Sequence, residues 1–162
     1  MGKFLEAVAF VFVVETIGLA GAATGGLMSK TSWVDDFEKP SAWPDKPVLP
    51  LAWCLVNYPS IAIATWLVSR RRKESDVVPA LAVTGMCIAH NALFGSIVNR
   101  AKNVPVYVLM DILGDCIGVA QAVSYGRISN RAVVVLSPYL AWLAYTTDRV
   151  PARGVRAHRL SA

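Results

Sequence analysis

The sequence predicts an all-α membrane protein, a bundle of five transmembrane helices. Of the 162 residues, 55% are hydrophobic and only 17% are charged, whereas soluble domains typically carry about 25% charged residues. The apolar residues form five long runs separated by polar segments. A helix needs about 20 such residues to cross a bilayer, and it must be helical because lipid offers its backbone no hydrogen bonds.

The five runs follow one another along the chain, and basic residues stand at several of their ends. The predicted spans are residues 4–28, 48–69, 77–99, 104–125 and 132–147. The first run imitates a signal peptide, but it continues to Met28 and is interpreted as a retained helix. The connections after the second, third and fourth runs are short, so consecutive helices must be antiparallel. Basic residues are spread almost evenly over both sides, and orientation is therefore not predicted.

The longest connection is the segment 29–47, between the first and second spans. It contains Trp33, Trp43 and three prolines, namely Pro40, Pro44 and Pro47. Irregular loops of this length often serve as lids or binding loops, so we predict a lid. The terminal segment 151–162 is basic, and we expect a disordered tail that can contact anionic lipid head groups. The chain thus divides into a transmembrane domain, residues 1–150, and this tail.

Several functional classes are disfavoured by composition and motifs. The net charge is +5, but no basic stripe with interleaved aromatic residues is present, so we expect no nucleic-acid partner. No P-loop, GxSxG, HExxH or CxxCH motif occurs, which leaves hydrolase, nucleotide-driven and covalent-haem chemistry without support. Cys54, Cys87 and Cys116 lie in separate apolar runs and are interpreted as buried thiols. With two histidines, we predict no metal site and no resident cofactor.

Ionisable residues inside the predicted spans are candidates for function. These are Glu15 in the first span, His90 in the third, and Asp111 and Asp115 in the fourth, where four residues separate two acids on one helix face. Such groups cost roughly 2.5–3.5 kcal/mol at mid-membrane and usually face a cavity or a partner.

Three interpretations of these acids remain open. The acids are neutral or hydrogen-bonded within the bundle and only stabilise it, or they act as acid and base on an apolar substrate, or they carry protons in transport. The polar partners available for the first interpretation are His90, Asn91 and Gln121.

Two GxxxG motifs indicate where helices approach each other closely. Gly21 and Gly25 form the first, and Gly114 and Gly118 form the second. Such motifs permit tight packing either inside one chain or across a dimer interface.

Motifs along nearly the whole chain resemble the TspO/MBR family, the tryptophan-rich sensory or translocator proteins. Residues 33–40, WVDDFEKP, are similar to the family's W-Y-x-x-L-x-K-P. Trp43-Pro44, the segment 50–53 and Tyr58 resemble W-x-P-P and P-V-W-T-x-L-Y with small register shifts. His90-Asn91 corresponds to the Leu-Asn that precedes W-S-P-L-F-F. Residues 110–113, MDIL, and 136–142, LSPYLAW, resemble V-D-I-L and L-L-P-Y-L-x-W.

The resemblance implies a five-helix membrane protein that binds tetrapyrroles such as protoporphyrin or haem, sterols or benzodiazepine-type compounds. Their cavity lies between the helices, with the first loop as a lid, and the family forms homodimers. Trp53 and Trp142 would line this pocket, near Tyr58 and Asn91. The full set of expected ligand-binding residues is Trp33, Trp43, Trp53, Tyr58, His90, Asn91, Phe94, Tyr139 and Trp142.

The chain also departs from the family pattern. The segment W-S-P-L-F-F reads FGSIVN at residues 94–99, so Phe94 replaces an expected pocket tryptophan. The terminal A-T-x-L-N is replaced at 146–149 by TTDR.

We therefore expect an integral, multi-pass membrane protein that binds a hydrophobic small molecule and serves sensing or transport. The alternative is a membrane-embedded enzyme on the same fold, a cyclase or isomerase of a terpenoid-like or polyketide-like substrate. Its catalytic acids would be Asp111, Asp115 and Glu15. A third class, a scaffold that packs through its GxxxG faces, would bind no ligand. The sequence does not indicate which membrane holds the protein.

Overall fold

A computed structural model describes residues 2–24, 51–71 and 75–147. In this part of the chain there are five helices and no strands. Helix α1 is Gly2–Thr24; α2 begins with a π-helical turn, Trp53–Asn57, and continues as Tyr58–Ser69; α3 is Val77–Ala101; α4 is Val104–Gly126; and α5 is Asn130–Thr147. Each predicted span overlaps one of these helices to within a few residues, and the all-α class is confirmed. The predicted lid, 29–47, and tail, 151–162, lie outside the described residues.

The helices form a closed ring. Helix α1 packs against α2 and α3, α3 packs against α4, α4 against α5, and α5 returns to α2. Because consecutive helices are antiparallel, the C-terminal ends of α1, α3 and α5 lie beside the N-terminal ends of α2 and α4. We call this the loop end of the bundle, since the 25–50 connection joins α1 to α2 there.

The π-helical turn at the start of α2 has a local cause. The Tyr58 N–H donates to the Trp53 carbonyl, five residues earlier. Pro59 follows directly, and proline has no N–H to continue the regular ladder and collides with the carbonyl four residues before it. A π-turn accommodates one additional residue in a helix. The family motif W-T-x-L-Y separates its aromatic residues by four positions, whereas this chain separates Trp53 from Tyr58 by five.

The helices turn sharply where the connections are short. Lys102 ends α3 in the left-handed region, at φ 43°, and Pro105 occupies the first turn of α4, where a missing N–H costs nothing. Pro138 lies inside α5 and cannot bond the Val134 carbonyl, which instead accepts a hydrogen bond of 2.8 Å from the Ser137 hydroxyl. The backbone thus remains satisfied, as a membrane interior requires.

The outer surface of the bundle is apolar. Phe4, Leu55 and Val134 are 72%, 71% and 70% exposed. Such a surface fits lipid rather than water. Within the described residues, α1, α3 and α4 are long and apolar enough to cross a membrane, and Trp53–Ser69 is a shorter apolar helix.

The glycines of the two GxxxG motifs serve packing inside the chain. A Cβ at Gly21 would collide with the Ala92 backbone, and one at Gly114 would lie 2.8 Å from the His90 ring. Gly118 faces Leu143 in the same way. Gly25 lies outside the described residues. For the three described glycines, close helix–helix contact within one chain explains the motif.

A buried polar cluster stabilises the end of the bundle opposite the loop end. The Tyr125 hydroxyl lies 2.7 Å from Thr65 Oγ1 and 2.6 Å from Thr84 Oγ1, and it accepts a bond of 3.1 Å from Gln121 Nε2. Gln121 also donates to Thr84 Oγ1 at 3.3 Å. These side chains join α2, α3 and α4 where no water is available to replace the bonds.

Candidate functional site

Aromatic side chains meet between α2 and α5 at the loop end. The Trp53 ring lies 5.3 Å from Tyr58, 6.2 Å from Tyr139 and 6.3 Å from Trp142, and Trp142 lies 6.0 Å from Tyr145. These are ordinary spacings for tilted and edge-to-face aromatic pairs. Residues five apart would diverge in an α-helix, but the π-turn keeps Trp53 and Tyr58 on one face. Four expected ligand-binding residues are therefore together.

A cavity of about 390 Å³ lies beside this cluster, within the usual size range of small-molecule sites. It is bounded by the start of α2 and the second half of α5. Its lining consists of Ala52, Val56, Asn57, Pro138, Ala141, Trp142 and Tyr145. We call it the α2–α5 groove. Because Val56, Pro138 and Ala141 are exposed, the groove opens onto the apolar outer surface of the bundle.

Asn57 is the buried polar residue of the groove. It is the last residue of the π-turn and is 0% exposed. Neither its Nδ2 nor its Oδ1 finds a hydrogen-bond partner within the described residues. An amide left in this state is costly in a protein interior, and most buried polar groups avoid it.

The aromatic cluster is tied to α3 through a sulfur. The Tyr139 hydroxyl lies 3.3 Å from Cys87 Sγ, and Asn91 Nδ2 donates to the same sulfur at 3.7 Å. Of the three cysteines predicted to be buried, only Cys87 is; Cys54 is half-buried, and Cys116 is exposed on the outer apolar surface of α4. Asn91, predicted to lie near the pocket, thus stands behind the aromatic wall and not among the residues that line the groove.

His90 and Phe94 belong to a second aromatic group, between α3 and α4. Their rings are 5.8 Å apart, and Phe94 lies 5.6 Å from Tyr107. His90 Nε2 lies 2.8 Å from the Met110 carbonyl, and because a carbonyl only accepts, this nitrogen carries the proton. The two residues were predicted to bind ligand, but they are not among the residues lining the α2–α5 groove.

The two aspartates of α4 share one hydroxyl from α5. Thr147 Oγ1 lies 2.5 Å from Asp115 Oδ2 and 3.2 Å from Asp111 Oδ2. The second oxygen of Asp115 is buried and has no partner in the described part of the chain. Of the partners expected for these acids, Gln121 instead bonds Tyr125 and Thr84.

The remaining site predictions fall elsewhere. Glu15 lies on α1, whereas the aspartates contact Thr147 between α4 and α5. Trp33 and Trp43 are outside the described residues. In the described ranges no three His, Cys, Asp or Glu side chains form a possible metal site.

Three residues of the candidate sites were not predicted from the sequence: Asn57 and Tyr145, which line the groove, and Thr147, which contacts the aspartates. Only Asn57 could have been noticed in the sequence, because it lies between Trp53 and Tyr58, which are one residue further apart here than in W-T-x-L-Y.

Comparison with known proteins agrees with this architecture. The model of the TspO/MBR family matches residues 7–148. No curated protein matches the chain. The family match covers the first helix through the last and includes the aromatic cluster, the groove and the acid pair. The chain therefore belongs to the TspO/MBR family and is a helical membrane protein.

Proposed function

We propose that the protein binds a hydrophobic small molecule in the α2–α5 groove and that all five helices cross the bilayer. The observation that carries the proposal is the aromatic cluster around Trp53 and Trp142, which borders a cavity with a largely apolar lining. Aromatic walls favour flat apolar ligands, while a few polar groups set orientation. The ligand serves a sensing or transport role.

The route of entry follows from the surface around the groove. Its exposed lining residues are apolar and continue into a surface that fits lipid. A hydrophobic ligand already partitions into the bilayer, so it reaches this groove laterally without crossing water. Release into the same bilayer is equally direct, which suits a carrier or a sensor of membrane-dissolved compounds.

Tetrapyrroles and sterols are the ligand classes that the family membership suggests. A metal-free porphyrin suits the described residues better than haem, whose iron would need a ligand such as histidine. His90 bonds the Met110 carbonyl and does not line the groove. No charged side chain lines the groove among the described residues. The propionates of a porphyrin would therefore extend out of the groove, while its flat ring contacts Trp142 and Tyr145.

The test is a titration of protein in nanodiscs with protoporphyrin IX, followed through the absorbance of the porphyrin. This readout is chosen because replacing tryptophans would remove an intrinsic fluorescence signal even if binding persisted. The variant is Trp53→Phe with Trp142→Phe, and the matched control is Trp66→Phe. Trp66 lies near the other end of α2, where Arg70 covers its ring at 5.1 Å.

We expect saturable binding to the native protein and to the Trp66 variant. The double variant should bind about threefold to tenfold more weakly, because phenylalanine at position 142 would offer the ligand a smaller ring and phenylalanine at position 53 would no longer hold that wall in place, and an aromatic contact is worth ~0.5–1.5 kcal/mol beyond its buried area. Equal binding by all three proteins would place the porphyrin elsewhere and contradict the proposed site. Absence of binding would remove tetrapyrroles from the ligand classes and direct the search to sterols.

A second candidate is an acid–base enzyme, which the shared hydroxyl of Thr147 favours. One hydroxyl has one proton to donate, and two adjacent ionised carboxylates repel each other in an apolar medium. The two carboxyl groups therefore compete for this one donor, and a proton shared between them would relieve their repulsion. A neutral carboxylic acid beside a carboxylate is an acid and base pair suited to cyclising or isomerising an apolar substrate.

The enzyme hypothesis is tested with a polyprenyl epoxide in nanodiscs, with products separated by gas chromatography. Infrared spectra of the protein alone should show a protonated carboxyl band that Asp115→Asn or Asp111→Asn removes. Conversion should be lost in the same variants while binding persists. Conversion that survives in both variants and in Glu15→Gln would refute an acid mechanism, as would the absence of the infrared band.

A further inference from the structure

We infer that Asn57 is the polar anchor of the α2–α5 groove and selects ligands that present a hydrogen-bond acceptor and a donor side by side. Carboxamides, cis-lactams and protonated carboxylic acids on an apolar body have such an edge. The inference rests on the proposed function, since it concerns the same groove. It goes further by naming the chemical edge that the ligand must carry.

The position of Asn57 is set by the π-turn, of which it is the last residue. The π-turn keeps Trp53 and Tyr58 facing each other at 5.3 Å, so the fifth residue step between them does not rotate the aromatic wall. The turn places the amide of Asn57 directly before Tyr58. The turn thus introduces a polar group without disturbing the apolar surface around it.

The state of this amide differs from that of the other buried amide in the bundle. Gln121 is also 0% exposed and its Oε1 is likewise unmatched within the described residues, but its Nε2 donates to Tyr125 and Thr84. Asn57 has neither its donor nor its acceptor matched within the described residues, and it forms no cap with the helix that follows it. A fully buried amide with both ends unmatched points to a partner that the described residues do not supply.

The surroundings restrict what this partner can be. Ala52, Val56, Pro138 and Ala141 offer no side-chain hydrogen bonds, and the carbonyl of Val56 already accepts a bond of 2.6 Å from Ser60. The polar groups of the other lining residues, Trp142 and Tyr145, do not bond the amide. A primary amide presents its carbonyl oxygen and one N–H along one edge. The complementary edge has a donor beside an acceptor. A ketone or an ester, which only accepts, would leave the Asn57 oxygen unmatched in a dry site.

Three probes of nearly the same shape isolate this edge. In 2-naphthamide the ring carries C=O and NH2, in 2-acetylnaphthalene it carries C=O and CH3, and in 2-isopropenylnaphthalene it carries CH2 and CH3. Each is measured by equilibrium dialysis against protein in nanodiscs, with empty nanodiscs as the blank for partition into lipid. The variant is Asn57→Leu, which keeps the branching of the side chain and removes both polar atoms.

We expect the native protein to bind 2-naphthamide about tenfold more tightly than 2-isopropenylnaphthalene, with 2-acetylnaphthalene between them. In Asn57→Leu the three affinities should converge, while 2-isopropenylnaphthalene binds at least as well as before. Ser60→Ala is the matched control, because this hydroxyl lies one turn further along α2 and bonds only its own helix. It should keep the native ranking.

Each outcome decides one of the two proposals. Equal affinities for the three probes in the native protein would overturn the role of Asn57, and this comparison needs no variant that might misfold. A water molecule or a lipid ester bound at the amide would give that result. Selectivity that persists in Asn57→Leu would also overturn it. Absence of binding for all three probes would contradict the groove as an apolar site, and hence the proposed function itself.

Discussion

Replacing Asn57 by leucine should stabilise the protein in the absence of ligand, although it removes a polar group from a buried position. Most substitutions of buried residues destabilise. The expectation is reversed here because the amide loses its interactions with solvent on folding and gains no hydrogen bond from the described residues. Leucine has the same number of side-chain heavy atoms and the same branching, so the packing around the site changes little.

The magnitude follows from the two unmatched groups. A buried donor or acceptor without a partner costs ~1–3 kcal/mol in soluble proteins. Inside membranes, hydrogen bonds average ~0.6 kcal/mol, because the unfolded chain also finds partners there. Two groups at the membrane value give about 1 kcal/mol, and two groups at the soluble value give an upper limit of about 6 kcal/mol. We expect Asn57→Leu to raise the free energy of unfolding within these limits.

The assay is reversible unfolding in mixed micelles, with helicity followed by circular dichroism. The matched comparison is Gln121→Met, because Gln121 is equally buried but donates to Tyr125 at 3.1 Å and to Thr84 at 3.3 Å. Losing these two bonds should lower stability by about 1–2 kcal/mol. The two amide substitutions should therefore have opposite signs. If Asn57→Leu destabilises like Gln121→Met, Asn57 has a partner in the free protein and the reasoning fails.

Two further predictions concern the packing of the bundle. Gly21→Ala should destabilise by about 1–3 kcal/mol, because its Cβ would enter the Ala92 backbone and force α1 from α3. Gly85→Ala is the control and should be neutral or stabilising, because nothing lies within 4 Å of its Cβ. If both substitutions changed the free energy of unfolding equally in the same micelle assay, the close contact of Gly21 with Ala92 would be contradicted. Tyr125→Phe should cost about 1–2 kcal/mol through its lost hydrogen bonds, whereas Ser124→Ala, which loses only a bond to its own helix, should change stability little.

The number and order of the helices could be predicted from the sequence because both follow from chain-wide patterns. Apolar runs of membrane length and short connections are visible without tertiary information, and each predicted span overlaps a helix. The aromatic wall was also predictable, since Trp53, Tyr58, Tyr139 and Trp142 occupy recognisable motifs. What periodicity cannot supply is the local hydrogen-bond pattern. The π-turn depends on one inserted residue and on Pro59, and a helical wheel drawn for an α-helix misplaces Asn57.

The polar contacts inside the bundle were less predictable. The spacing of Asp111 and Asp115 indicated a shared face, but their partner Thr147 lies on another helix and belongs to no motif. His90 was grouped with the pocket because of its place in the sequence, yet its ring faces α4 and bonds a backbone carbonyl. Every residue has a backbone carbonyl, so no sequence pattern indicates which carbonyl a given side chain will bond.

Helix α5 separates the groove from the acid pair, which bears on whether one ligand can use both. Its groove residues, Pro138, Ala141, Trp142 and Tyr145, recur at helical spacing on one face. Leu143 and Thr147, which contact α4, lie roughly opposite on the wheel. A molecule held against Trp142 is thus screened from the aspartates by the helix backbone. Asp115→Asn should accordingly leave the affinity for 2-isopropenylnaphthalene within about twofold, as for independent sites. A larger change would mean that groove and acids share one space, and the enzyme hypothesis would then gain a substrate position.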